Sequence, residues 1–294
     1  MIRARSSTTR ALTGLLVVTL ATVGVLSQTT PASAAPAAPA VDTFTWTIDT
    51  NTMRVSDAQE EGLFSDGDEP YVAIIGYRSR FGTPNSTFAV WGGDLRELSG
   101  GADDGDNLSV PDAMGRYFFP GVTRVSAANV AAGQAPELVG TITVAMESDA
   151  TPWSSIRGFF NELTTVARQE IASVIENTTV ADFVGASMDP VRKQQLADRI
   201  EAAVGRIESR VRPSFWEALG LWLSSWSDPD DRIAFKLSAF AAVDSSLASF
   251  VEAELVKVIP PSRGVAGALQ TRSTSVTYAG DGATYVLGSS IFAS

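Results

Sequence analysis

Apolar residues along this chain change period twice, and the two changes outline its architecture. Thr43-Phe44-Thr45-Trp46-Thr47-Ile48 alternates at every second position, the spacing of a half-buried strand. Tyr71–Ile75 and Ser86–Trp91 predict two more strands, the second ended by Gly92 and Gly93. Leu98–Asp112 is rich in Gly, Asp and Ser and reads as a mobile loop. Leu138–Met146 predicts a strand that stops at Glu147. From Trp153 the spacing turns helical. Ile156, Phe160, Leu163, Ala167, Ile171 and Val174 recur at three and four residues until Asn177-Thr178. A second helix is expected from Pro190, a favourable first-turn residue, to Val211, with the stripe Leu196, Ile200, Ala203, Ile207 and Val211. Pro213 starts a third, carrying Phe215, Trp216, Leu219, Trp222, Leu223 and Trp226. After Asp231 strand character returns. Arg232–Val243 reads as a strand, although its length and alanines also allow a helix; Asp244–Val258 reads as a helix. Ser273–Tyr278 and Ala283–Phe292 predict a hairpin through Ala279-Gly280-Asp281-Gly282.

Strands on either side of the helical block need partners, and residues 232–294 alone are not expected to make an independent core. The expected fold class is therefore α+β: a β-domain made from 43–152 and 227–294, interrupted by a three-helix insertion at 153–226. The N-terminus reads differently. Arg3, Arg5 and Arg10 precede an apolar stretch from Ala11 to Leu26, and Ala32-Ser33-Ala34 offers the small residues a signal peptidase needs. Residues 1–34 are expected to be a signal peptide and 35–42 an extended leader. A membrane anchor is the other reading, but the stretch is short and broken by Gly14 and Gly24. The expected location is secreted and extracellular.

Composition narrows the chemistry. Net charge is −11, with 33 acidic and 22 basic residues, and loss of the signal would remove Arg3, Arg5 and Arg10. Such a chain repels a phosphate backbone, which argues against a nucleic-acid partner. No cysteine is present, so neither a disulfide framework nor a lipid-modified Cys is available. No histidine is present either, which removes Ser-His-Asp and Cys-His catalysis and His-ligated zinc. An enzyme is not expected, although carboxylate catalysis stays open.

The acids cluster at the ends of predicted strands, in Asp66-Gly67-Asp68-Glu69, Glu147-Ser148-Asp149 and Asp228-Pro229-Asp230-Asp231. Acidic turns often simply stay solvated. Calcium, however, takes about six to eight oxygens and usually draws them from several loops. Residues two apart on an extended backbone share a face, as Glu147 and Asp149 would. Neither Asp66-x-Asp68 nor Asp104-x-Asp106 continues as an EF-hand loop. Asn85-Ser86-Thr87 matches a glycosylation acceptor.

These segments carry a resemblance. Gly62–Val72 resembles the first calcium loop of C2 domains, where an acid precedes Pro-Tyr-Val. Leu138–Asp149 is similar to the C2 strand that ends in an acid-x-acid pair, and Asp230-Asp231-Arg232-Ile233 to its closing element. The family implies an eight-stranded antiparallel C2-like β-sandwich holding Ca2+ between loops at one end. The implied ligands are Asp66, Glu69, Glu147, Asp149 and Asp231. Glu69 and Glu147 stand where Asp is usual, Ala234 where Gly is usual, and no Lys-rich strand for phosphoinositides is present.

The leading expectation is a secreted calcium-binding module that meets an extracellular or cell-surface partner. A membrane-active protein or toxin is the alternative, with lipid contact through Trp216, Trp222 and Trp226. Those residues equally suit a buried face against the other two helices. A carboxylate-dependent hydrolase using Glu147 or Asp149 is the third reading.

Overall fold

The computed structural model describes residues 42–58, 68–148, 153–179, 182, 189–210, 232–280 and 283–294. The signal, the leader up to Val41 and the third expected helix lie outside the described residues; Asp42, assigned above to the leader, already opens the first strand. The order of elements is β1 (Asp42–Asp57), β2 (Pro70–Arg80), β3 (Phe88–Trp91), β4 (Asn107–Ser109), α1 (Asp112–Gly115), β5 (Arg116–Arg124), α2 (Ala127–Ala131) and β6 (Glu137–Glu147). Then come α3 (Trp153–Ile175), α4 (Pro190–Arg210), β7 (Arg232–Ala241), α5 (Ser245–Val258), β8 (Gly264–Ala268), β9 (Arg272–Gly280) and β10 (Ala283–Ala293).

Two five-stranded sheets result. In the first, β1 pairs with β10 along one edge and with β4 and β5 along the other, and β9 lies beyond β10. The second runs β3-β2-β6-β7-β8. Segments from before and after the helical block thus pair directly: β6 with β7, and β1 with β10. That bears out an α+β chain whose helices interrupt its strands.

Alternation along β2 and β6 sets the layers. Val72 and Ile74 pack with Trp46, Ile48, Tyr285 and Leu287 of the first sheet. Tyr71, Ala73, Ile75 and Tyr77 pack with Ile156, Phe160 and Leu163 of α3. On β6, Val139 and Ala145 join the first group, and Ile142, Val144 and Met146 the second. Both strands are covered on both faces, which explains their nearly continuous apolar runs. The helical stripe Ile156, Phe160, Leu163, Ala167, Ile171 and Val174 is buried as the periodicity predicts.

Several expectations change. Ten strands occur among the described residues, not eight, and β7 pairs with β8 in parallel, not antiparallel. A parallel pair needs a crossover, and α5 supplies it. Leu98–Asp112 is no free loop. Leu98 N–H donates to the Pro70 carbonyl at 2.8 Å, and Ala102 exchanges two backbone bonds with Asp68 at 2.7 and 3.1 Å. Within the same stretch β4 pairs with β1. Arg232–Ala241 is a strand, which settles the choice left open above. β5 was not foreseen because Pro120 and Gly121 interrupt its pattern. The β1–β5 ladder slips in register between Phe44 and Trp46, and that irregularity accommodates the proline.

Candidate functional site

Three strand ends converge where the acidic clusters occur in the sequence. Pro70, at the start of β2, lies opposite Glu147 at the end of β6. Arg232, at the start of β7, lies opposite Met146. Ser148 N–H donates to the Glu69 carbonyl at 3.0 Å, which closes the β2–β6 ladder at this end. Glu69 and Glu147 are therefore neighbours in the sheet. Asp66, Asp149 and Asp231 lie outside the described residues.

The pleat separates the two described carboxylates. Pro70 and Glu147 share the face that carries Val72 and Ile74 toward the first sheet. Glu69 alternates to the face of Tyr71, toward the helices. Asp68 returns to the first face. It is buried, and its Oδ2 accepts a 2.8 Å hydrogen bond from the Tyr285 hydroxyl of β10. Asp68 thus ties the cluster to the first sheet and is not presented to solvent.

Other acids gather nearby. Glu97 Oε1 accepts from the Ser148 hydroxyl at 3.1 Å. Asp104 Oδ1 accepts from Ala58 N–H at 2.6 Å and so ties its turn to the end of β1, whereas Asp106 Oδ2 accepts from Asp103 N–H at 3.1 Å within the turn itself. Among the described residues, no three acidic side chains converge as a metal site. Two of the five implied ligands are at this end, and a complete calcium shell would draw further oxygens from the segments carrying Asp66, Asp149 and Asp231.

Sequence reasoning missed three residues. Glu97 and Tyr285 are 51 and 217 residues from their partners, and no local pattern joins them. Glu137 was also passed over. Its carboxylate is buried between Arg78 and Arg80 and accepts from Thr123 N–H at 3.3 Å. Burial alone would raise its pKa, but the hydrogen bonds and charges of the two arginines outweigh burial and hold it below the usual value.

A cleft of about 730 Å³ opens between α4 and α5, at the other end of the sheet. Phe81, Ile200, Phe250 and Leu255 line it, and the described cluster acids Asp68, Glu69 and Glu147 are not among its lining residues. Of the alternatives, Trp216, Trp222 and Trp226 lie outside the described residues, as does Asp149 of the hydrolase pair. No helix among the described residues is long and apolar enough to cross a membrane. No protein-family model, curated protein or solved structure matches this chain.

Proposed function

We propose that the chain is an exported, C2-like calcium-binding module that meets an extracellular or cell-surface partner at its acidic end. The observation that carries this reading is the meeting of β2, β6 and β7 with Glu147 opposite Pro70, and acids just beyond each strand end in the sequence. Two sheets about one core support a sandwich of the C2 kind; the parallel β7–β8 pair departs from it. Glu147, with Asp149 two residues on and Asp231 just before Arg232, forms the main proposed set. Asp66 and Glu69 complete it from before β2, with Glu69 the lesser member because it faces the helices. Bound Ca2+ would neutralise these carboxylates and hold the loops in one arrangement. Extracellular sites of this type fill at roughly 10⁻⁴ to 10⁻³ M, so modest affinity suffices.

Calorimetry of the signal-cleaved chain with Ca2+, and with Mg2+ as comparison, tests the reading. Saturable heat with Ca2+ is expected, together with a melting temperature that falls on adding chelator. Glu147→Gln should weaken binding about tenfold, equivalent to about 1.4 kcal/mol, and Glu69→Gln less. Absence of both heat and chelator response in the unaltered chain would sink the proposal.

A further inference from the structure

Lys236 breaks the pattern of β7. Ala234 and Phe240 of this strand pack in the core shared with the first sheet, and Leu237 and Ala239 pack with the helices. By alternation Lys236 belongs with Ala234 and Phe240, on the face toward the first sheet. A charged side chain there is unusual unless it is paired. The Lys236 ammonium donates to the Ser262 carbonyl in the turn after α5. No carboxylate among the described residues forms an ion pair with it. Glu208 of α4 acts on it only at longer range. Burial outweighs that attraction and holds the ammonium below the usual lysine pKa. An ammonium carries three donors, and Ser262 takes one.

This lysine lines a pocket of about 600 Å³, within the range of about 300–1,000 Å³ usual for small-molecule sites. β8 ends the second sheet and β9 ends the first, and the pocket lies where these two edge strands meet. Val256 of α5, Ile259 and Pro261 of the turn after it, Val265 of β8 and Val276 of β9 make its lining apolar. Val256 is 41% exposed, which places it at the mouth. Among the described residues Lys236 is the only charged member of the lining, and no member carries an aromatic ring. The larger cleft between α4 and α5 differs, because its cations are paired: Lys257 with Glu254 at 2.9 Å and Arg263 with Glu201 at 3.5 Å. That cleft selects no charge, whereas the pocket at Lys236 does.

We propose that the Lys236 pocket binds an aliphatic monocarboxylate, with its carboxylate on the ammonium and its chain along Val256, Ile259, Pro261, Val265 and Val276. Charge complementarity selects the head. One ammonium balances one carboxylate, whereas a phosphate monoester brings a charge of about −1.5 to −2 at neutral pH. A cationic or uncharged head would leave Lys236 desolvated and without a counter-charge. The tail follows from the lining, which offers aliphatic branches and no ring on which an aromatic ligand would stack. Affinity should therefore rise with chain length until the pocket is filled. The site is separate from the acidic end: Lys236 lies opposite Thr143, and Arg232 opposite Met146. It does not depend on calcium.

Calorimetry of the signal-cleaved chain with decanoate tests the proposal, in chelator and below the concentration at which decanoate self-associates. Saturable binding is expected, about tenfold or more tighter than that of 1-decanol or decylamine. Lys236→Met keeps the apolar stem and removes the charge, and should abolish that preference. Bound decanoate should also protect Lys236 from acetylation by acetic anhydride, read by mass spectrometry, and leave Lys257 as reactive as before. If Lys236→Met melts lower than the unaltered chain, Val256→Glu decides. It sets a like charge at the exposed mouth and should weaken decanoate about tenfold. Absence of saturable binding overturns the proposal, as does decanoate bound no tighter than 1-decanol. Decanoate binding unchanged in Val256→Glu, a preference that survives Lys236→Met, or equal acetylation of Lys236 with and without decanoate overturns it as well.

Discussion

Glu137 opens β6 with a carboxylate only 1% exposed, gripped by the guanidiniums of Arg78 and Arg80 on the neighbouring strand. Its depressed pKa makes it a source of pH dependence. A carboxylate whose folded pKa lies below the unfolded value, about 4.3 for Glu, stabilises the fold fully above that unfolded value. The contribution is lost as pH falls through the lower, folded pKa. Glu137→Gln should therefore cost about 1–3 kcal/mol at neutral pH, less than a wholly buried pair because both arginines are partly exposed. The variant should also lose less stability than the unaltered chain on moving to strong acid. Urea unfolding at neutral and acid pH measures both effects, and equal acid sensitivity in the two proteins would count against this assignment. Nothing local in Ala135-Pro136-Glu137-Leu138 announces the cluster, because its arginines lie 57 and 59 residues away in sequence.

At the scale of elements, the helices were the most legible part. Their three-and-four spacing is a local property, and a long amphipathic stripe permits few other structures. α5 begins as its sequence suggests, with Asp244 as N-cap accepting from Ser246 N–H at 2.9 Å. β5 and β4 were not legible: one contains Pro120 and Gly121, and the other spans three residues. Central strands show what packing adds to a recognisable apolar run. Gly140 lies in the middle of β6, where a Cβ would run into the Ser238 carbonyl oxygen and the Tyr77 hydroxyl. That hydroxyl donates to the same carbonyl at 2.7 Å, so neither neighbour can withdraw without loss of the bond. Gly140→Ala should destabilise by about 1–3 kcal/mol, the range for overpacking a close-packed interior. Chemical denaturation checks it; a change within about 0.5 kcal/mol, as for an ordinary surface substitution, would contradict the account.

At the scale of the whole molecule, the β-domain closes only when both ends of the chain are present. β1 pairs with β10 from Trp46 opposite Ala293 to Asp57 opposite Thr284. The export proposal makes its own prediction at this scale. Protein recovered from the medium of an expressing host should begin at Ala35, by N-terminal sequencing or intact mass. Full-length chain retained with the cells, with none in the medium, would speak against it.

The sequence by itself determined the α+β character, the helical block between two sets of strands, and the positions of the acidic clusters at strand ends. Each follows from a residue and its near neighbours, where spacing and turn chemistry act directly. Only the tertiary structure decided which strands pair, and with what register. β2 and β6 are apolar on both faces, so their sequences carry little alternation to tell the first sheet from the helices. Register then decided the geometry of the acidic end. It placed Pro70, not Glu69, opposite Glu147, turned Glu69 to the other face, and directed Asp68 inward to Tyr285. It also left β3 at the border of its sheet with Phe88 and Val90 exposed. A strand becomes an edge only through the partner it lacks, and that is a property of the assembled sheet.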